Sequence, residues 1–128
     1  MKSSQHEYAR VAFEGIKSLE ADSAVAKQYG QLCHRFPSLV LTNGLLLAVT
    51  FFQSKGAGDE KNPHTVYLKH LHNALALNQT WEDALKVQNA AYLHLSRQVL
   101  SASVWFKRYA EAILKIEQGA DTLEQESF

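Results

Sequence analysis

FPSLVLTNGLLLAVTFFQSKG, residues 36–56, is the most apolar stretch of the chain, and the fold class turns on how it is read. Asn43-Gly44 between two hydrophobic runs is the strongest short-range signal for a two-residue β-hairpin. Pro37 ahead of a leucine-rich run instead resembles the first turn of a helix. Residues 45–48, Leu-Leu-Leu-Ala, form helices well and strands poorly. Leu39, Val40, Asn43, Leu46, Leu47, Thr50 and Phe51 share one helical face. An isolated hairpin is marginal in water, so the helix is the better reading. Asn43 and Gly44 then cost that helix about 1.5 kcal/mol relative to two alanines and need a reason. Either Gly44 admits the backbone of another helix or Asn43 makes a buried hydrogen bond, and close packing is the simpler expectation.

Outward from this stretch the pattern stays helical. Tyr8, Val11, Ala12, Gly15, Ile16 and Leu19 follow i, i+3, i+4, i+7 spacing. Asp22-Ser23 offers an N-cap for a second helix through Val25, Ala26, Tyr29, Leu32 and Cys33. Phe36-Pro37 is expected to end it, because the residue before proline is pushed out of the α region. SKGAGDEKNP, residues 54–63, is the clearest loop. Val66, Tyr67, His70, Leu71, Ala74, Leu75 and Leu77 form the next stripe, which breaks near Asn78. Thr80 with Asp83 resembles a capping box, and a long helix is expected from about Asn89 to Glu117. No stretch alternates with period two for long. The expected fold is all-α, a single compact bundle of about five to seven helices without a sheet. Residues 1–118 form one helical domain, followed by an acidic tail at 119–128 that is expected to be mobile.

The 128 residues suit one domain, with 46% hydrophobic and 20% charged residues. Thirteen basic residues balance thirteen acidic ones. Glu117, Asp121, Glu124 and Glu126 lie in a C-terminal stretch without Lys or Arg, so residues 1–116 carry a formal +4. That charge tolerates a polyanion without demanding one. Cys33 is the single cysteine, which excludes an intramolecular disulfide and fits a reducing compartment. The N-terminal MKSSQHEYARVAFEG lacks the apolar core and cleavage site of a secretion signal. The apolar run at 38–52 falls short of the ~20 residues a spanning helix needs. A cytoplasmic protein without a membrane partner is expected.

Six histidines invite a search for metal. His70 and His72 would point about 200° apart on a helix, and His64 is poorly phased with His70. No metal site is expected, and no cofactor. His34 is badly placed to activate the adjacent Cys33. The GAG at 56–58 lacks the lysine and the preceding strand of a phosphate-binding loop. No constellation suggests catalysis.

The last helix carries two stripes. Ala91, Leu95, Val99, Ala102, Phe106, Tyr109, Ile113 and Ile116 form the core face. Opposite them run Arg97, Ser101, Val104, Arg108, Glu111 and Lys115, flanked by Leu93, Leu100 and Lys107. A basic stripe mixed with aliphatic residues is read either as a solvated face whose Lys and Arg stems cover apolar neighbours, or as a docking surface for a polyanion or a partner subunit.

Four ordered stretches, YARVAFEGI, LCHRFPSLVLTNGLLLAVTFFQSKG, YLKHLHNAL and YLHLSRQVLSASVWFKRYAEAIL, resemble one family. It is the small all-helical subunit of type III-B CRISPR effector complexes, the Cmr RNA-silencing ribonucleoprotein. Pro37, Asn43, Gly44 and Leu45 belong to the family's most recognisable block. The resemblance implies a non-catalytic structural subunit that stacks with copies of itself into a filament beside the backbone subunits. That filament would line the groove receiving the CRISPR RNA–target RNA duplex, with cleavage left to the backbone subunits. By matching position, Lys55, Arg97, Lys107 and Arg108 become candidates for RNA-backbone contact, and Lys115 joins them by lying on the same stripe. Leu93, Leu100 and Val104 are candidates for subunit contact on geometry alone. The alternative is a helical protein–protein adaptor without RNA contact.

Overall fold

A computed structural model describes residues 4–20 and 22–115. The acidic tail expected at 119–128, and Ile116, lie outside the described residues. Among the described residues six α-helices run in order: α1 (Ser4–Lys17), α2 (Ser23–Asn43), α3 (Leu45–Gly56), α4 (Pro63–Ala74), α5 (Trp81–Ala84) and α6 (Asn89–Tyr109). A π-helical turn, Ala110–Leu114, ends the described chain. There is no strand among the described residues. The expected all-α bundle is what forms.

The local start signals behave as their chemistry dictates. The Asp22 carboxylate accepts the Val25 N–H at 3.2 Å to cap α2, and the Thr80 hydroxyl accepts the Asp83 N–H at 3.2 Å to cap α5. Asn62 accepts the His64 N–H at 2.8 Å, and Pro63 fills the first turn of α4, where a missing N–H costs nothing.

α2 does not stop at Phe36, as the proline suggested; it continues through Pro37 to Asn43. A proline inside a helix costs about 3 kcal/mol. Phe36 and Val40, on either side of it, are buried in the core, and each such burial returns about 1.5–3 kcal/mol. Tertiary packing overrides the local preference.

Asn43-Gly44 is neither a hairpin nor a flaw within a helix. It is the corner between two helices. Gly44 has φ 90° and ψ 160°, a conformation open to glycine and strained for residues with a Cβ. Its N–H closes α2 on Val40 O at 2.9 Å, and its carbonyl opens α3 by accepting Ala48 N–H at 3.1 Å. Close packing is not the reason for it: an added Cβ would meet only the Tyr92 hydroxyl, at 3.7 Å. Asn43 is exposed, so it makes no buried bond either. Close approach occurs at other glycines. A Cβ on Gly15 would lie 2.7 Å from His70 Nδ1, and one on Gly56 would collide with the Thr65 hydroxyl.

Tyr67 of α4 is the hub of the core. Its ring centroid lies 5.7 Å from Tyr29, 5.3 Å from Phe36, 5.8 Å from Phe52 and 5.4 Å from Phe106, in tilted or edge arrangements. Three other helices, α2, α3 and α6, therefore converge on this one α4 side chain. Trp81 ties α5 to α4 by donating from Nε1 to the Leu68 carbonyl at 3.2 Å. α6 packs chiefly on α1 and α2, whereas α3 packs on α2 and α4.

α6 ends at Tyr109 rather than near Glu117, and its first turn overhangs, leaving Ala91 exposed instead of in the core. Beyond Tyr109 the chain widens into the π-helical turn. Lys115 closes that turn at φ 60° by returning its N–H to Ala110 O.

Candidate nucleic-acid interface

α6 presents Arg97, Val104 and Arg108 on one exposed line, with Ser101 half-buried between them. Eleven residues of regular helix put Arg97 and Arg108 roughly 16 Å apart. Between Asn89 and Lys115 there are four cationic side chains, Arg97, Lys107, Arg108 and Lys115, against one carboxylate, Glu111. That carboxylate lies 3.8 Å from Nε2 of the buried His34. The line is therefore electropositive.

The structure does not treat the five cations alike. The Arg108 guanidinium sits 5.1 Å over the Trp105 ring, a cation–π contact that holds it in place. Trp105 donates from Nε1 to Gln5 Oε1 at 2.7 Å, and Gln5 Nε2 donates to the Ser101 hydroxyl, so α1 clips this part of α6. Lys107 is half-buried on the flank. Lys115 is exposed, but phasing it with Arg97 and Arg108 assumes 100° per residue, and i→i+5 bonding winds more slowly. Lys55 lies elsewhere, in the last turn of α3, its ammonium 5.3 Å over the Phe51 ring. Lys55 and Arg35 there act as positive charges on one partly buried imidazole, His64. Desolvation, then the charges of Lys55 and Arg35, lower the His64 pKa, and burial lowers that of Arg35. Nothing local in the sequence marks Arg35, which the packing of α2, α3 and α4 brings within electrostatic reach of the same His64 that feels Lys55.

Of the candidate contact residues, Leu93 is 50% and Val104 40% exposed, while Leu100 is half-buried against the core. The corner of the opening block adds a larger aliphatic surface. Leu41, Leu46 and Leu47 are 74%, 50% and 58% exposed, and Leu47 rims an apolar groove of about 400 Å³ with Leu39, Ala48 and Phe51. Exposed aliphatic surface of this kind is characteristic of protein contact. Tyr92, next to Leu93, accepts the Leu46 N–H at 3.0 Å, capping α3 from α6 and joining the corner to the α6 N-terminus. In the block itself Pro37 and Leu45 are buried.

The thiol and imidazole groups are in structural use. Burial pushes the Cys33 pKa well above the ordinary thiol value, which keeps the thiol protonated and non-nucleophilic. His70 Nδ1 is 2.7 Å from the Tyr29 hydroxyl, and His72 Nε2 is 2.6 Å from the Gln79 carbonyl. Among the described residues no three His, Cys, Asp or Glu side chains are grouped to hold a metal ion, and no helix is long and apolar enough to cross a membrane.

Comparison with known proteins bears on this geometry. Residues 4–113 match the family model described as CRISPR-associated protein (Cas_Cmr5). The chain is 30% identical over 118 residues to the CRISPR system Cmr subunit Cmr5 of Thermus thermophilus, covering 90% of this chain and 99% of that protein. The crystal structure of a CRISPR-associated Cmr5 family protein from the same organism superposes with a TM-score of 0.75 at 28% identity, over 91% of this chain and 100% of that one.

Proposed function

The chain belongs to the Cmr5 family of CRISPR-associated proteins, and from that membership we propose that it serves a Cmr ribonucleoprotein as a non-catalytic structural subunit. Copies of it stack into a filament beside the backbone subunits and line the groove that holds the CRISPR RNA–target RNA duplex. Base pairing reads the sequence of the target, and the protein contributes shape and phosphate contacts. The observation that carries this reading is the electropositive outer line of α6, on which Arg97 and Arg108 point to solvent from one rigid helix. Lys107 and Lys115 extend the positive face, and Lys55 supplies a separate contact near Arg35. The exposed leucines at the α2–α3 corner, with Leu93 and Val104, supply the contacts to the next copy and to the backbone subunit. Leu100 contributes at the edge of that surface.

Salt-dependent binding of the purified protein to a blunt RNA duplex tests the reading. Each phosphate contact contributes roughly 0.7–0.9 to the slope of log K against log salt. The Lys107→Glu/Arg108→Glu variant should lower that slope by about 2 and weaken target silencing, while still assembling. A protein indifferent to duplex RNA, whose charge-reversed variant assembles and silences normally, would leave a helical protein–protein adaptor as the better description.

A further inference from the structure

A second exposed apolar surface has a different chemistry from the leucine corner. Between α1 and α6 lies an open cleft of about 630 Å³, lined by Gln5, His6, Arg10, Phe13, Trp105 and Tyr109. Phe13 is 42% exposed, and its ring meets Tyr109 edge-on at 5.5 Å and 71°. Tyr109 in turn lies 6.2 Å from Trp105 with the rings only 30° apart. Three aromatic side chains thus share one solvent-facing cleft, with the Arg108 guanidinium over the Trp105 ring. Arg10 adds little net charge, because Glu7 and Glu14 hold it at 2.9 and 3.0 Å. The positive charge at the cleft comes from Arg108 and the α6 line it belongs to.

The leucine corner offers aliphatic bulk, which suits another protein's side chains. The cleft offers the aromatic surface of Phe13, Trp105 and Tyr109 and the Arg108 cation beside a basic line. That combination recurs where single-stranded nucleic acid is bound: bases stack on aromatic rings while neighbouring cations follow the phosphates. We propose that the α1–α6 cleft is a stacking site for an unpaired nucleobase of single-stranded RNA. It rests on the RNA-contact reading above and extends it from duplex phosphates to an unstacked base.

Fluorescence anisotropy on the full chain separates the two ideas, using a short unstructured single-stranded RNA and a blunt RNA duplex of equal length. Trp105→Ala should weaken single-strand binding about tenfold, well beyond any loss of duplex binding from freeing Arg108, and Trp105→Phe, which keeps a ring beneath Arg108, should restore most of it. Phe13→Ala, which alters the cleft from α1 and leaves α6 intact, should weaken the single strand in the same way. If Trp105→Ala and Phe13→Ala both bind the single strand as tightly as wild type while duplex binding persists, the stacking site is wrong and the RNA-contact reading stands. If the wild-type protein binds neither RNA, both fall. If the same variants leave RNA binding intact but detach the protein from a neighbouring subunit, the cleft is a protein contact and the proposal is overturned.

Discussion

Replacing Gly44 by alanine tests whether backbone conformation, rather than packing, explains the corner between α2 and α3. At φ 90° and ψ 160°, a residue with a Cβ is strained by about 1–3 kcal/mol. The new Cβ meets nothing closer than the Tyr92 hydroxyl at 3.7 Å, so no steric penalty is added. Alanine also restricts the unfolded chain, which offsets about 0.4–1 kcal/mol. The net expectation is a loss of about 1–2 kcal/mol. For a chain of this length each kcal/mol moves Tm by about 4 °C. Urea unfolding followed by far-UV circular dichroism measures the change, and a double-mutant cycle with Tyr92→Phe tests its origin. Torsional strain requires the two substitutions to add. Gly56→Ala is the contrasting case, because its Cβ collides with the Thr65 hydroxyl, and Thr65→Ala should rescue it. A Gly44→Ala protein within about 0.3 kcal/mol of wild type would refute the reasoning. So would a loss that disappears when Tyr92 becomes phenylalanine.

Stability should also depend on pH through His70, whose pKa falls to about 4, first through desolvation and then through the charge of Lys69. The unfolded imidazole titrates near 6.5, so between about 4 and 6.5 the unfolded state binds the extra proton. This contribution is complete above about 6.5 and is lost as pH falls toward 4, up to about 3 kcal/mol. Denaturation midpoints across that window should flatten in His70→Gln. Cys33 should resist a thiol reagent in the folded protein and react once per chain in urea, because it is fully buried and its pKa is raised by burial. Ready modification of the native protein would contradict that placement.

What can be read from the chain is what local chemistry controls. The caps at Asp22 and Thr80, the loop before Pro63 and the helical stripes all follow from neighbours within a few residues. The proline rule fails at Pro37 because the deciding contacts, Phe36 against Phe52 and Tyr67, come from other helices. Within a helix Gly44 needs a cause, but a positive φ leaves no separate mark in a sequence that also fits close packing. On the candidate interface, Arg97 and Arg108 keep their expected phase because α6 is regular between them. Leu100 lies further inward than its flanking position suggests, and the π-helical turn interrupts the phase of Lys115. Nothing local marks Phe13 on α1, since its surroundings are supplied by α6, far later in the chain.

That last separation has a consequence for how the protein is made. Among the described helices α1 leaves the ribosome first, with Tyr8, Ala12 and Ile16 on its apolar face, while α6, with which it packs most extensively, emerges after the other five. At about 5–20 residues per second, the intervening chain takes on the order of 5–20 s to synthesise. Through that interval α1 waits without the helix that covers it, exposed to chaperones and to the same face on neighbouring nascent chains. Gln5, held between Trp105 and Ser101, thus marks where an early and a late segment of the chain finally meet.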